Sequence, residues 1–185
     1  MSCLFVNACF REGSRTARLA QRVLATVEGE VTRLDLAEAD IRPLGAAELK
    51  LYNACVAARD YSDSLFDVAK QFADADEIVI AAPFWNYSVP ALLHDYLELV
   101  SSQGVTFDID EQGVYHSLCR AKRLVYVTTA GGPLPDDEND HAFGYIRTLC
   151  EKFWFIPEVV LVKADCLDVA GADVDGIIVA AELPL

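Results

Sequence analysis

The sequence predicts an α/β protein built on a doubly wound, five-stranded parallel sheet, with a small β-excursion ahead of the fourth strand. Three observations predict it. Short apolar segments alternate with helical patterns along the whole chain. One of those segments, EIVIAA, is apolar at nearly every position and so must be covered on both faces, as strands of a parallel sheet are. Gly-, Ser- and Pro-containing loops follow the first, third and fourth strands, where open parallel sheets hold their ligands.

The elements follow in order. Residues 4–8 form a short buried strand, and 14–27 carry helical spacing through Ala17, Leu19, Ala20, Val23, Leu24 and Val27. Residues 31–36 alternate as a second strand. Residues 46–53 and 61–75 are helical, split near Arg59. Residues 77–82 are the third strand, 90–101 a helix, 123–129 the fourth strand, 142–152 a helix, 159–164 the fifth strand and 173–181 a last helix. Residues 105–118 break the rhythm: VTFDID alternates, Glu111–Gly113 turns, and VYHSL alternates again, which is the excursion. Ser88 is placed to cap the helix beginning near Pro90.

Composition sets outer limits. A chain of 185 residues, 53% hydrophobic, suffices for one domain with a substantial core, and residues 1–185 are expected to form that single domain. No apolar run reaches the roughly 18–20 residues of a membrane span, and the start lacks the basic flank of a secretion signal, so a cytoplasmic protein is expected. The formal charge of −14 argues against nucleic acid as a partner. The six cysteines form no C-x-x-C pair and are expected to be reduced. Cys3 is a core hydrophobe; Cys9 lies near the first loop, where packing is a better reading than reactivity. His94, His116 and His141 have no metal-ligand spacing.

Three loops can carry chemistry. FREGSRT (residues 10–16) joins a strand to a helix start. Gly13 permits a left-handed turn, and free N–H groups with the Ser14 and Thr16 hydroxyls suit a phosphate monoester, with Arg15 adding charge. The same residues also serve as ordinary helix caps. The loop is not a P-loop, and no G-x-G dinucleotide fingerprint occurs anywhere. PFWNYSVP (residues 83–90) offers Phe84, Trp85 and Tyr87 as faces for a planar ring. Its backbone from Trp85 to Tyr87 and the Asn86 amide are placed to meet polar ring edges. In TTAGGPLP (residues 128–135), Gly131 and Gly132 let backbone amides approach a ligand and stabilise charge that develops on it. His141, after that loop, is placed to overlook a pocket.

The segments LFVNAC…REGSRT, KQFADADEIVIAAPFWNYSVPALLHDYLELVSSQGVTF and TTAGGPL together resemble the flavodoxin-like NAD(P)H-dependent oxidoreductases, in particular the FMN-dependent NADH-azoreductases and related quinone reductases. The resemblance spans nearly the whole chain, and the central segment is its specific part. It implies a flavodoxin-like fold, FMN as cofactor and NADH or NADPH as co-substrate. It implies phosphate contacts from Ser14, Arg15 and Thr16, and ring contacts from Phe84, Trp85, Asn86 and Tyr87. Contacts on the ring's pyrimidine side would come from Thr129, Ala130, Gly131 and Gly132. It further implies a homodimer, and a ping-pong reaction passing hydride from the nicotinamide through FMN to a small planar oxidised acceptor, a quinone or azo compound. Tyr87 and His141 are the candidate catalytic proton donors. The chain departs from the family at Cys9 and Phe10, at Asn86, and at Trp154, where a glycine is common; that tryptophan is expected to reshape the substrate side or a dimer contact. The alternatives are a flavodoxin-like electron carrier without nicotinamide turnover, and a domain that has lost flavin and regulates by binding.

Overall fold

A computed structural model describes residues 1–184 of the chain. Five parallel strands, β1 (Ser2–Asn7), β2 (Glu30–Asp35), β3 (Glu77–Ala81), β6 (Arg123–Thr129) and β7 (Glu158–Ala164), form one sheet in the order β2-β1-β3-β6-β7. The excursion is an antiparallel pair, β4 (Phe107–Ile109) and β5 (Tyr115–Ser117). The chain leaves β1 toward β2 on one side and returns at β3 on the other. The carboxyl ends of β1 and β3 therefore splay their following loops apart, which leaves a crevice.

The period-two pleat divides the apolar runs between two cores. Leu4 and Val6 of β1, Ile78 and Ile80 of β3 and Leu124 and Tyr126 of β6 face one side. There they meet Phe72 of α3 (Asp67–Asp74), Leu93, Tyr96 and Leu97 of α4 (Ala91–Val100) and Ile146 of α5 (Phe143–Leu149). Cys3, Phe5, Val79, Ala81, Val125 and Val127 face the other side, against Leu19, Ala20 and Val23 of α1 (Arg15–Leu24) and Ile178 of α6 (Val174–Ala180). Burial on both faces is what the unbroken apolar run at β3 required.

The remaining helix, α2 (Ala46–Ala58), buries no residue. It extends past the expected end at residue 53 and stops at Arg59, whose left-handed backbone (φ 50°) closes the helix with its N–H to the Val56 carbonyl. The next helical segment begins later than residue 61, as a 3₁₀ turn over Ser64–Phe66 capped by the Asp63 carboxylate. Ser88 does not cap α4; Pro90 stands at that position, without a side-chain bond.

Helix α5 also differs from its expected form. After Leu149 the chain widens into a π turn, Cys150–Trp154, closed by left-handed Phe155. The turn brings Cys150 and Trp154 inward to full burial, with Trp154 4.6 Å from Phe72 between ring centroids. Trp154 is thus a core residue, and the expectation that it shapes the substrate side or a dimer contact is overturned. No helix among the described residues is long and apolar enough to cross a membrane.

Candidate functional site

All three loops singled out in the sequence meet at the carboxyl end of the sheet, around a cavity of about 490 Å³. That volume falls within the roughly 300–1,000 Å³ usual for small-molecule sites. One flank is the start of α1. Gly13 turns the chain with φ +66°, a conformation that favours glycine, while a Cβ there would meet nothing. Ser14 then caps α1 by accepting the Ala17 N–H at 3.2 Å. The N–H groups of Arg15 and Thr16, first in the helix, have no intrahelical acceptor and stand at the positive end of its dipole.

Thr16 has a different task from the one expected of its side chain. It is 1% exposed, and its hydroxyl is 2.6 Å from that of Thr129, also buried, so the pair bolts the first loop to the end of β6. The first loop is braced from β2 as well. The Asn7 amide donates to Asp35, and its oxygen accepts the Cys9 N–H at 3.2 Å. Burial pushes the Cys9 thiol up to about 11, and its Sγ donates to the Ala81 carbonyl. Cys9 is therefore a packed, protonated thiol at neutral pH.

The aromatic flank comes from two loops. Phe10, Phe84 and Trp85 line the cavity with Pro83. Phe10 and Trp85 lie 6.4 Å apart between ring centroids, and the Arg11 guanidinium sits 5.2 Å over the indole. Trp85 and Ser88 exchange both backbone bonds at 2.9 Å, and Asn86 (φ 52°) and Tyr87 (φ 63°) between them are left-handed. This is a tight type I′ turn. It consumes the Trp85 N–H, so that donor is not available to a ring edge as expected.

Ser88 is held elsewhere too: its hydroxyl lies 3.0 Å from His94 Nε2 and donates to the His141 carbonyl at 3.2 Å. The His141 N–H in turn donates to the Tyr87 carbonyl. Tyr87, 60% exposed, and His141 therefore stand side by side at the protein surface. The cavity wall does not include Asn86, Tyr87, Gly132 or His141; His141 instead lines a shallow cleft with Ser88, His94, Asp140 and Tyr145.

The third loop is shaped by a fourth that the sequence reasoning missed. Leu167 and Asp168, after β7, donate their N–H groups to the carbonyls of Ala130 and Gly131, and Cys166 donates to Gly132. The Ala130 N–H is spent on Ala164, whereas the N–H groups of Gly131 and Gly132 serve no acceptor among the described residues. Asp168 closes over Gly131 so tightly that a Cβ there would lie 2.1 Å from Oδ2, and its carboxylate takes Arg15 Nη1 at 2.6 Å. The strand-end rule that found three loops applied equally to the loop after the fifth strand.

Fold and cavity together define the class: a doubly wound α/β protein with its ligand crevice where the strand order reverses. A family model described as flavodoxin-like fold matches residues 1–165. The chain belongs to that family.

Among its relatives, the FMN-dependent NADH:quinone oxidoreductase of Coprothermobacter proteolyticus is 33% identical over 171 residues, covering 89% of this chain and 85% of that protein. An FMN-dependent NADH:quinone oxidoreductase 2 of Clostridium acetobutylicum is 35% identical over 152 residues, covering 80% and 74%. In fold, the chain is similar to an azoreductase crystal structure from Bacillus anthracis strain Sterne, with a TM-score of 0.80, 21% identity and coverage of 97% and 94%. It is also similar to an FMN-dependent NADH-azoreductase from Bacillus anthracis strain Ames Ancestor in complex with FMN, with a TM-score of 0.77, 17% identity and coverage of 96% and 93%.

Proposed function

We propose that this protein is an FMN-dependent NADH oxidoreductase that reduces a small planar acceptor, a quinone or azo compound, in a ping-pong cycle. The observation that carries the reading is the cavity's polarity. A helix start with free N–H groups and Arg15 lies at one flank, and an aromatic wall of Phe10, Phe84 and Trp85 at the other. A flat ring bearing a phosphate monoester fits that arrangement in size and in donor chemistry. The relatives' names point to the same cofactor and reductant.

In this reading the amides of Arg15 and Thr16 and the Arg15 side chain hold the phosphate. Phe84 and Trp85 hold the ring, and the unspent N–H of Gly131, which lines the cavity, is placed to meet its polar edge. FMN, when bound, supplies the hydride-accepting and hydride-donating chemistry. The protein's part would be to position it, with Phe84 and Trp85 against the ring, so that reductant and acceptor reach it in turn. Tyr87 and His141, side by side outside the cavity wall, are the candidate proton donors to the departing product; the Tyr87 hydroxyl is the first to test, by Tyr87→Phe. A second copy of the chain across the rim would close the acceptor's side.

The visible spectrum of the purified protein, recorded before and after NADH without air, tests the reading. Flavin absorption that bleaches, and returns on adding a small quinone, is the expected result. Flavin that NADH does not reduce would point to an electron carrier. Failure to take up added FMN would sink the site.

A further inference from the structure

Arg15 and Asp168 both line the cavity and face each other at its mouth, Nη1 to Oδ1 at 2.6 Å. The carboxylate is seated there by the backbone. The Asp168 N–H donates to the Gly131 carbonyl at 2.9 Å, and only the absent side chain of Gly131 lets the carboxylate lie as close as it does. Asp168 is thus built into the wall, held against the first residue of α1.

The charges around the cavity then balance. Its lining contains Arg11 and Arg15 against Glu12 and Asp168, and Arg11 is engaged over the Trp85 ring. A phosphate monoester carries a charge of about −1.5 to −2 at neutral pH. Arriving at the start of α1, it meets a guanidinium already bound to a carboxylate, and it meets the field of that carboxylate as well. A flavin without phosphate meets neither cost.

We infer that Asp168 is a specificity-determining residue that sets how strongly the cavity prefers phosphorylated over unphosphorylated flavin, by competing with the phosphate for Arg15. The inference deepens the FMN reading above and rests on it. Competition of this kind restrains affinity for FMN and for any other phosphate-bearing ligand of the cavity. It leaves the ring's contacts with Phe84 and Trp85 unaffected.

The test titrates FMN and riboflavin into the full chain, freed of bound flavin, and follows quenching of flavin fluorescence. Asp168→Asn keeps the shape and the backbone bond while removing one charge. It is expected to tighten FMN binding about fivefold at low salt, the scale of one partly solvated charge at contact distance, with riboflavin unchanged. High salt should shrink the gain. Arg15→Gln should weaken FMN but not riboflavin, and in that background Asp168→Asn should gain clearly less, because the contested cation is gone. Unchanged riboflavin affinity also certifies that the variants fold. Weaker FMN binding in Asp168→Asn, an equal change for both flavins, or the same gain with and without Arg15 would overturn the inference while leaving the FMN reading intact. Wild-type protein that binds neither flavin would overturn that reading and this inference with it.

Discussion

Replacing Thr16 by Val puts the joint between the first loop and β6 to a quantitative test. The substitution keeps shape and β-branching, so helix propensity changes little, and it removes one hydroxyl. Thr129 is then left with a buried hydroxyl, 7% exposed as a residue, whose only side-chain partner among the described residues was Thr16 at 2.6 Å. An orphaned buried hydroxyl costs about 1–3 kcal/mol. Thr129→Val strands Thr16, 1% exposed, in the same way. The double variant strands neither, and its two added methyl groups bury apolar surface, so it should be more stable than either single variant. Urea unfolding reads this directly. With a slope of about 2 kcal/mol per molar urea, each single variant should lower the midpoint by about 0.5–1.5 M. The double variant should recover most of that loss. Single variants within about 0.3 kcal/mol of wild type, or a double variant as damaged as the sum of its singles, would refute the claim that this pair bolts the loops together.

Three further outcomes follow from the same geometry. Gly131→Ala should leave the urea midpoint nearly unchanged, because its Cβ, 2.1 Å from Asp168 Oδ2, displaces a largely exposed carboxylate from Arg15 at a cost of only about 0–1 kcal/mol; a loss above about 2 kcal/mol would contradict it. Cys9, raised from 9.0 to about 11 by burial, carries about a hundredfold less thiolate than a free thiol, so iodoacetamide at neutral pH should leave it unmodified in the native protein, as peptide mass mapping would reveal. Asp35 is held below the ordinary carboxylate value, first by the Arg33 side-chain bond, against an opposing desolvation, and further by Asn7. A depressed folded value stabilises the native state above about pH 4 and is lost as pH falls through that folded value. Asp35→Asn should therefore be less stable at pH 7 by about 1 kcal/mol, and the gap should narrow toward pH 3; a gap constant down to pH 3 would rule out the linkage.

The legible parts of the chain were those where local pattern and global fold agree. β6 runs from Arg123 to Thr129, the bounds expected from its pattern, because the apolar stretch Leu124–Val127 is buried on both faces and the polar residues Arg123, Thr128 and Thr129 mark its ends. The Val105–Leu118 alternation became β4 and β5 for a similar reason: period two over short stretches around a Gly turn has few other solutions. Residues acting at a distance were hidden. That Thr16 spends its hydroxyl on Thr129, and Ser88 on the His141 carbonyl rather than on a cap of α4, depends on pairings 113 and 53 residues apart that no local spacing encodes. The π turn was illegible because a helical period cannot announce one extra residue. Trp154 looked like a surface departure only while the pocket waiting for it against Phe72 was unknown. Asp168 sits in a stretch with no aromatic signature of its own after β7, and its meaning comes from its contact with Gly131 and its pairing with Arg15, which lie far from it in the chain.

The division of the core by the sheet bears on how this sequence can change over time. Leu19 on α1 and Tyr96 on α4 are both wholly buried, yet they belong to separate compartments with a layer of strands between them. A larger side chain in one compartment cannot be accommodated by a smaller one in the other, since interiors packed to crystal density do not exchange volume through a backbone layer. Compensating substitutions should therefore arise within a compartment, and changes in opposite ones should combine independently. The protein offers drift two nearly separate ledgers of tolerated replacements. The loops at the sheet's carboxyl end are the place where the two must agree.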